Sequence, residues 1–319
     1  MSLVHGTWAD AEALVGRPLP GVTGADAVSA ADFRRLLEAL SWDSPIHYDD
    51  AAARDAGYER VVSPRSLTRP AALPPYWTPG EPDALLGTVG APLATLPGEG
   101  TAMVGTGNRF EYLDDIYPGD RIRTTSVLRS VTRKRTRLGE GAFLVLESGY
   151  YNQHDVLVAR ETATGFRYEP ADSGTDRSTA APPPAAGEGA SDLPTQHLVL
   201  TLQRLLMAAA VTRDFTPIHT VPDVARATGA PSAFANVTLC EALVERAVRA
   251  WCGQQARITS LETRIVGFAC AGDELSITGR ESPASDGSDA GRQFAVVVSG
   301  PSGPAILGEV GVAVPVPSA

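Results

Sequence analysis

The stretches DSPIH at 43–47 and FTPIH at 215–219 place Pro-Ile-His twice in the chain, with the two histidines 172 positions apart. Three further features repeat in the same order: a helical pattern before the motif, an alanine-rich stretch after it, and a Gly-Asp pair that leads into alternating β-type sequence. They lie at 33–42, 51–59 and 119–120 in the first half, and at 202–214, 223–230 and 272–273 in the second. Four ordered matches predict two structurally equivalent halves.

A stretch rich in Pro, Ala, Gly and Ser at 169–194 separates these halves and cannot form a core. We interpret it as a flexible linker between a first domain at 1–168 and a second at 195–319. In each half, helical patterns precede alternating apolar segments, which predicts an α+β fold with an antiparallel sheet. The predicted strands lie at 122–131, 142–150, 156–167, 256–266, 274–279, 293–299 and 305–314.

The first half carries an insertion. His47 and Asp120 are 73 positions apart, whereas the corresponding His219 and Asp273 are separated by 54. Repeated Pro and Gly place the extra residues at 70–102, in a long irregular loop. Such a loop is either a wall of a binding pocket or a plain surface excursion, and the sequence leaves both open.

Composition limits the classes of function. The chain has 319 residues, a hydrophobic fraction of 43% and a net charge of −10, which argues against a nucleic acid partner. No apolar run approaches the roughly 20 residues of a membrane span, and no basic region followed by an apolar stretch marks the N-terminus as a secretory signal. The three cysteines are too widely spaced for a metal clip. We expect a soluble, cytoplasmic protein that has no membrane or metal partner.

The second half resembles the MaoC-like (R)-specific enoyl-CoA hydratases and 3-hydroxyacyl dehydratases, whose signature is GDxNPxH followed by His-Gly at the start of a helix. Asp214 stands five residues before His219, as in that motif, while Thr216 replaces the usual asparagine. The resemblance spans nearly the whole chain outside the linker and tail. It implies a double hotdog: two tandem domains, each an antiparallel sheet wrapped around a long central helix.

The resemblance assigns different roles to the two halves. Trp42 stands where the first half should have its aspartate, and Asp43 is one residue out of register. We therefore expect a catalytically silent first half whose cleft, with His47 and Trp42, holds an acyl tail. His47 has a competing interpretation, a structural histidine that stabilises a turn.

The start of the second central helix departs from the family pattern. Asn236 and Val237 stand 17 and 18 positions after His219, where the family has His-Gly. The resemblance makes the backbone N–H of the second residue an oxyanion donor, so Val237 still donates but its branched side chain crowds the thioester. The Asn236 amide is an alternative donor, and Thr216 is a further substrate contact.

The spacing of the second motif suits acid–base chemistry in its own right. Pro217 has a fixed φ and disfavours a helical conformation at Thr216, so the chain turns sharply between Asp214 and His219. A carboxylate and an imidazole that converge on one pocket can orient a water molecule and relay its proton. Asp214 and His219 are therefore the predicted catalytic pair.

These residues and the resemblance together predict a hydro-lyase. It would reversibly hydrate or dehydrate an enoyl or 3-hydroxyacyl thioester on coenzyme A or an acyl carrier protein, in polyketide or lipid metabolism, with no metal or redox cofactor. Two alternatives compete: a non-catalytic acyl-binding or heteromer subunit, and a hotdog thioesterase. Two hotdog domains in one chain form a pseudo-dimer, and a homodimer of such chains is a further expectation.

Overall fold

A computed structural model describes residues 3–81, 92–136, 138–170, 192–283 and 291–313. The helices of this part of the chain are α1 (Trp8–Glu12), α2 (Ala30–Leu40), α3 (Asp50–Asp55), α4 (Thr68–Ala71), α5 (Leu202–Thr212), α6 (Pro222–Ala227) and α7 (Val237–Cys252). The 3₁₀ turns are Pro45–His47, Arg65–Leu67, Pro92–Thr95 and Pro217–His219. The strands are β1 (Val22–Thr23), β2 (Ala102–Tyr112), β3 (Arg123–Thr136), β4 (Gly139–Tyr151), β5 (Leu157–Pro170), β6 (Gln196–Leu200), β7 (Arg257–Ile265), β8 (Asp273–Pro283), β9 (Gly291–Gly300) and β10 (Gly303–Ala313).

The ten strands form one sheet in the order β1-β3-β4-β5-β2-β7-β10-β9-β8-β6. Each half contributes five strands in the same internal order, and the halves join where β2 pairs antiparallel with β7. Phe110 lies opposite Leu261 at this junction, and both side chains belong to the core. The predicted α+β class with an antiparallel sheet is confirmed.

The 172-residue repeat is also a repeat in space. Helices α2 and α5 begin at N-caps Ser29 and Thr201, whose hydroxyls accept from backbone N–H groups of the first turn. They end at Ser41 and Arg213, both in the left-handed conformation, with φ of 46° and 55°. Because few side chains adopt this conformation, its recurrence 172 positions later shows that both halves make the same sharp turn.

The Gly-Asp pairs form equivalent turns before β3 and β8. Gly119 and Gly272 have φ of 97° and 100°, which glycine adopts without steric cost. Asp120 accepts from the N–H of Tyr117 at 2.7 Å, and Asp273 accepts from the N–H three residues before it at 2.8 Å. These aspartates stabilise turns, as their positions in the sequence suggest.

The second half has a long central helix, α7, and the described part of the first half has none. Asn236 caps the start of α7 by accepting from Leu239 N–H at 2.8 Å, and the helix ends before Gly253, whose φ is 82°. In the first half the corresponding position holds only the 3₁₀ turn Arg65–Leu67 and the four-residue α4. The expectation of one long helix per domain is therefore wrong for the first half.

Three charged side chains on one face of α7 occupy the space where the described first half has no corresponding helix. Glu241, Glu245 and Arg249, spaced four residues apart, are 0%, 0% and 1% exposed. The opposite face of α7 packs its apolar side chains, such as Leu243 and Val248, into the core. One helix thus serves both halves, with its apolar side on its own sheet and its charged side on the first half.

The remaining expectations concern the strands, the linker, the insertion and membrane spans. All seven predicted strands are present, while β1, β2 and β6 were not predicted. Most of the expected linker, residues 171–191, lies outside the described residues, as does 82–91 within the expected insertion. Within the described ranges, no helix is both long and apolar enough to cross a membrane.

Candidate active site

The sharp turn at the end of α5 carries Asp214. Arg213 reverses the chain in the left-handed conformation, and the next residue presents its carboxylate beside His219. Thr216 donates two hydrogen bonds to Asp214 Oδ1, from its Oγ1 at 2.7 Å and from its N–H at 3.3 Å. The contacts of Thr216 are those of a residue that orients Asp214.

His219 faces this carboxylate with its free ring nitrogen. Its Nδ1 lies 2.9 Å from the carbonyl oxygen of Phe234, so in the neutral ring Nδ1 carries the proton and donates it there. The other nitrogen, Nε2, is then an acceptor and lies 3.6 Å from Asp214 Oδ2. The side chains of His219 and Asp214 are 13% and 37% exposed, so a small molecule can reach both from solvent.

The 3.6 Å separation suits a shared water molecule better than a direct bond. It exceeds the 2.7–3.2 Å range of ordinary hydrogen bonds, and two acceptors cannot bond to each other without a proton between them. One water can donate to Asp214 Oδ2 and to His219 Nε2 at once. The structure therefore brings the two predicted residues together in a geometry that can orient and deprotonate water.

The start of α7 lies next to this pair. Asn236 Nδ2 donates to Thr212 Oγ1 at 2.9 Å, which ties the helix start to the end of α5. The Asn236 side chain thus holds the helix start with its oxygen and with one N–H of its amide, and its role as an oxyanion donor stays a prediction. The N–H groups of Val237 and Thr238 open the helix and have no intrahelical acceptor.

Val237 directs its side chain toward the first half. Its Cγ2 lies 3.8 Å from the position that a β-carbon on Gly105 of β2 would occupy. The branched side chain therefore packs over a glycine of the neighbouring half. The helix N-terminus still offers N–H groups and a favourable dipole to a negatively charged oxygen.

The first half shows what such a pair of N–H groups binds. Arg65 and Ser66, which are 172 positions before Val237 and Thr238, donate their N–H groups to the two oxygens of Glu245, each at 2.9 Å. Ser66 Oγ donates to the same carboxylate at 3.0 Å. In the first half a carboxylate of α7 thus fills the position that corresponds to an oxyanion site.

The histidine of the first half is enclosed. His47 Nδ1 lies 2.7 Å from the Val62 carbonyl oxygen, the counterpart of the contact that His219 makes. The His47 side chain is 0% exposed, and Trp42, which is 5% exposed, packs edge-on against it at 5.2 Å. Burial, with smaller contributions from nearby arginines, lowers the pKa of His47 well below its usual value. The expected acyl-binding role of these two side chains is not supported, because neither offers more than a trace of surface.

A buried ionic cluster supports α7 just behind its first turn. Arg69 of α4 binds Glu161 at 2.7 Å and Glu241 at 2.9 Å, and it donates to Thr238 Oγ1 at 3.0 Å. Asn108 Nδ2 donates to Glu241 at 2.5 Å. Burial would lower the pKa of Arg69, but the two carboxylates raise it well above its ordinary value. Sequence reasoning missed this cluster, since nothing in the local pattern marks these charges as buried.

Comparisons with known proteins agree with this architecture. Residues 13–161 match the family model "FAS1-like, dehydratase domain region". A relative from Thermomonospora curvata, named "Probable enoyl-CoA hydratase alpha subunit", is 32% identical over 163 residues, which cover 50% of this chain and 51% of the relative. The chain thus spans about half the length of the curated relative it matches.

Solved structures match over almost the full length. A structure titled "MaoC-like dehydratase" has a TM-score of 0.72 at 20% identity, covering 96% of this chain and 100% of its own. A MaoC-like dehydratase from Phytophthora capsici has a TM-score of 0.65 at 12% identity and 95% and 98% coverage. A Mycobacterium tuberculosis protein described as a double hotdog fold has a TM-score of 0.56 at 13% identity, with 94% and 96% coverage.

At these identities the solved structures establish the fold, and the family match establishes the kind of domain in the first half. Together with the five-stranded halves, they confirm the predicted double hotdog, except that the described residues of the first half form no long central helix. Residues 13–161 are thus similar to a FAS1-like dehydratase region, and the described chain has the fold of the solved MaoC-like dehydratases.

Proposed function

We propose that this chain is a hydro-lyase that reversibly hydrates an enoyl thioester to a 3-hydroxyacyl thioester. The observation that carries the proposal is the pairing of Asp214 Oδ2 with His219 Nε2, 3.6 Å apart beside the N-terminus of α7. The names of the relative and of the solved structures support the same chemistry.

In the hydration direction, one water molecule is held between the two side chains. One of its protons passes to the pair as its oxygen bonds to the β-carbon of the enoyl group. The π electrons move toward the thioester oxygen, which becomes an enolate, and the proton then passes to the α-carbon. Dehydration is the reverse of these steps, so one pair acts as both base and acid.

The enolate oxygen would lie against the N–H groups of Val237 and Thr238. The corresponding groups of Arg65 and Ser66 bind the Glu245 carboxylate, which supports an anion-binding role for this backbone geometry. Donors aimed at developing charge are among the largest contributions to catalysis. The same contact supports a silent first half, because its donors already have a partner and Trp42 replaces the aspartate.

The decisive assay is hydration of crotonyl-CoA and of a longer enoyl-CoA, followed by loss of enoyl-thioester absorbance. We expect Asp214→Asn and His219→Ala each to lower kcat by about 10²-fold or more, the scale of a lost acid–base group. Asp43→Asn is the matched control, since Asp43 stands before the first Pro-Ile-His and is exposed. Activity that survives Asp214→Asn would show that this pair is not the catalytic centre.

Two other functions compete. The relative is named as an alpha subunit, which favours a chain that binds acyl thioester or completes a heteromer without turnover. Tight binding of the thioester together with no hydration by the isolated chain would support that alternative. A hotdog thioesterase would release free thiol, whereas a hydro-lyase leaves the thioester intact.

The finer assignments extend the same proposal. An acyl carrier protein could replace coenzyme A, a role in polyketide or lipid metabolism would fit the unusual Asn236-Val237 helix start, and two such chains could form a homodimer. Binding of a crotonyl-loaded carrier protein and the mass of the protein in solution are the measurements that decide these points.

A further inference from the structure

The turn that carries Asp214 is held by a segment of the other half. Leu73–Tyr76 follows α4, at the start of the expected insertion, and reaches across to the end of α5. Arg213 donates from its two terminal nitrogens to the carbonyl oxygens of Leu73 and Pro74, at 3.0 and 2.9 Å. The guanidinium of Arg213 also lies 5.5 Å from the centre of the Tyr76 ring.

Tyr76 completes the contact from the opposite direction. Its hydroxyl donates to the carbonyl oxygen of Arg213 at 2.7 Å. The Tyr76 ring packs edge-on against the Phe215 ring at 5.5 Å. Tyr76 therefore contacts the two residues on either side of Asp214, Arg213 through its hydroxyl and Phe215 through its ring.

The contacts of Tyr76, Leu73 and Pro74 with Arg213 stabilise an unfavourable backbone conformation of Arg213. Arg213 has φ of 55°, a conformation that is unfavourable for a residue other than glycine and persists only where the surroundings fix it. The same conformation sets the direction in which Asp214 leaves the helix. Ser41, at the equivalent turn of the first half, instead receives a hydrogen bond from Arg204 and precedes a tryptophan.

We propose that Tyr76 is a positioning residue for the second-half dyad: its hydroxyl on the Arg213 carbonyl and its ring on Phe215 fix the Asp214 carboxylate opposite His219. The first half thereby contributes to a site whose acid–base residues all belong to the second. This inference rests on the proposed function for its kinetic consequence and on the contacts alone for its structural one. It also assigns the described start of the insertion to the wall of the site.

The first test is Tyr76→Phe, which removes one oxygen and keeps the ring. Displacement of a catalytic group by about 1 Å costs up to roughly 10²-fold in rate, so we expect kcat for crotonyl-CoA hydration to fall about 10-fold with KM changed less than about 2-fold. Tyr48→Phe is the matched control, because Tyr48 is exposed and its hydroxyl bonds only Asp43 among the described residues. A merely structural role would lower the yield or the melting temperature and leave kcat per folded molecule unchanged.

The second test does not depend on turnover. Crystal structures of wild type and Tyr76→Phe should show the Asp214 Oδ2 to His219 Nε2 distance lengthened by about 1 Å or more in the variant. A distance that stays at the wild-type value, or an unchanged kcat, overturns the inference. If wild type hydrates neither substrate, the proposed function fails, and the two crystal structures still decide whether Tyr76 positions Asp214.

Discussion

The carboxylate of Glu245, which binds the N–H groups of Arg65 and Ser66 in the first half, provides the sharpest test of the architecture. Glu245 is 0% exposed and accepts from Arg65 N–H, Ser66 N–H and Ser66 Oγ at 2.9, 2.9 and 3.0 Å, and Arg249 Nε lies 3.4 Å away. Glu245→Gln keeps the shape of the side chain and replaces one oxygen by an NH₂ group. Because that group cannot accept, at least one buried backbone N–H loses its partner.

The cost can be worked out from these contacts. An orphaned buried donor costs about 1–3 kcal/mol, and the remaining bonds weaken because bonds to a charged acceptor are roughly twice as strong as neutral ones. Arg249 also loses a neighbouring negative charge in the interior, and breaking a buried pair costs about 3–5 kcal/mol. We expect Glu245→Gln to lower the free energy of unfolding by about 3–5 kcal/mol in total.

The measurement is urea unfolding at pH 7, followed by tryptophan fluorescence. The matched control is Glu309→Gln on β10, an exposed glutamate whose substitution should stay within about 0.5 kcal/mol of wild type. If Glu245→Gln were as stable as that control, Glu245 would not fill the N–H pair of the first half. Our account of why that half is silent would then be refuted.

Three further predictions concern the same core. Burial lowers the pKa of His47, so below about pH 6.5 the unfolded state binds more protons than the folded state. Through this group the free energy of unfolding of wild type should fall by up to about 1.4 kcal/mol per pH unit on acidification. His47→Gln should show a weaker dependence when unfolding is measured from pH 8 to pH 5. Arg69→Met leaves Glu161 and Glu241 without their cation, so we expect a loss of about 3–5 kcal/mol at pH 7. Burial raises the pKa of Glu241, so the folded Arg69→Met protein binds protons more readily than its unfolded chain. The stability of Arg69→Met should therefore recover partly as the pH falls below 7, and a stability that does not change with pH would contradict this. Gly308→Ala should lower the free energy of unfolding in urea by about 1–3 kcal/mol, since a β-carbon there would lie 2.8 Å from Val244 Cγ1. An unchanged free energy of unfolding would show that α7 has room to shift.

The sequence was sufficient for features that depend on neighbouring residues. Asp214, Pro217 and His219 lie within six residues, so their spacing, together with the resemblance to the MaoC-like motif, predicted the pair whose atoms the structure places 3.6 Å apart. The alternating pattern predicted seven strands, because a strand with one buried face leaves a period of two in its own sequence. Strand β6 has only five residues and carried no such signal, and β2 begins within the stretch interpreted as an irregular loop.

The charged side of α7 shows where local reasoning ends. Glu241, Glu245 and Arg249 follow the helical period, and such a stripe in a sequence normally indicates a face exposed to solvent. Here it is buried because the described first half lacks a central helix and supplies Arg65, Ser66 and Arg69 as partners. Burial of a charge depends on its partner, and the partner of Glu245 is 180 residues away.

What the sequence by itself determined is the repeat and the α+β class, and it also predicted that Asp214 and His219 lie together, since each depends on residues that are close along the chain. Only the tertiary structure decided that one helix serves both halves, that Glu245 binds the N–H groups of Arg65 and Ser66, and that Tyr76 contacts the turn that carries Asp214. These contacts join residues 137 to 180 positions apart. No local pattern encodes them, because they arise only when the two halves close on each other along β2 and β7.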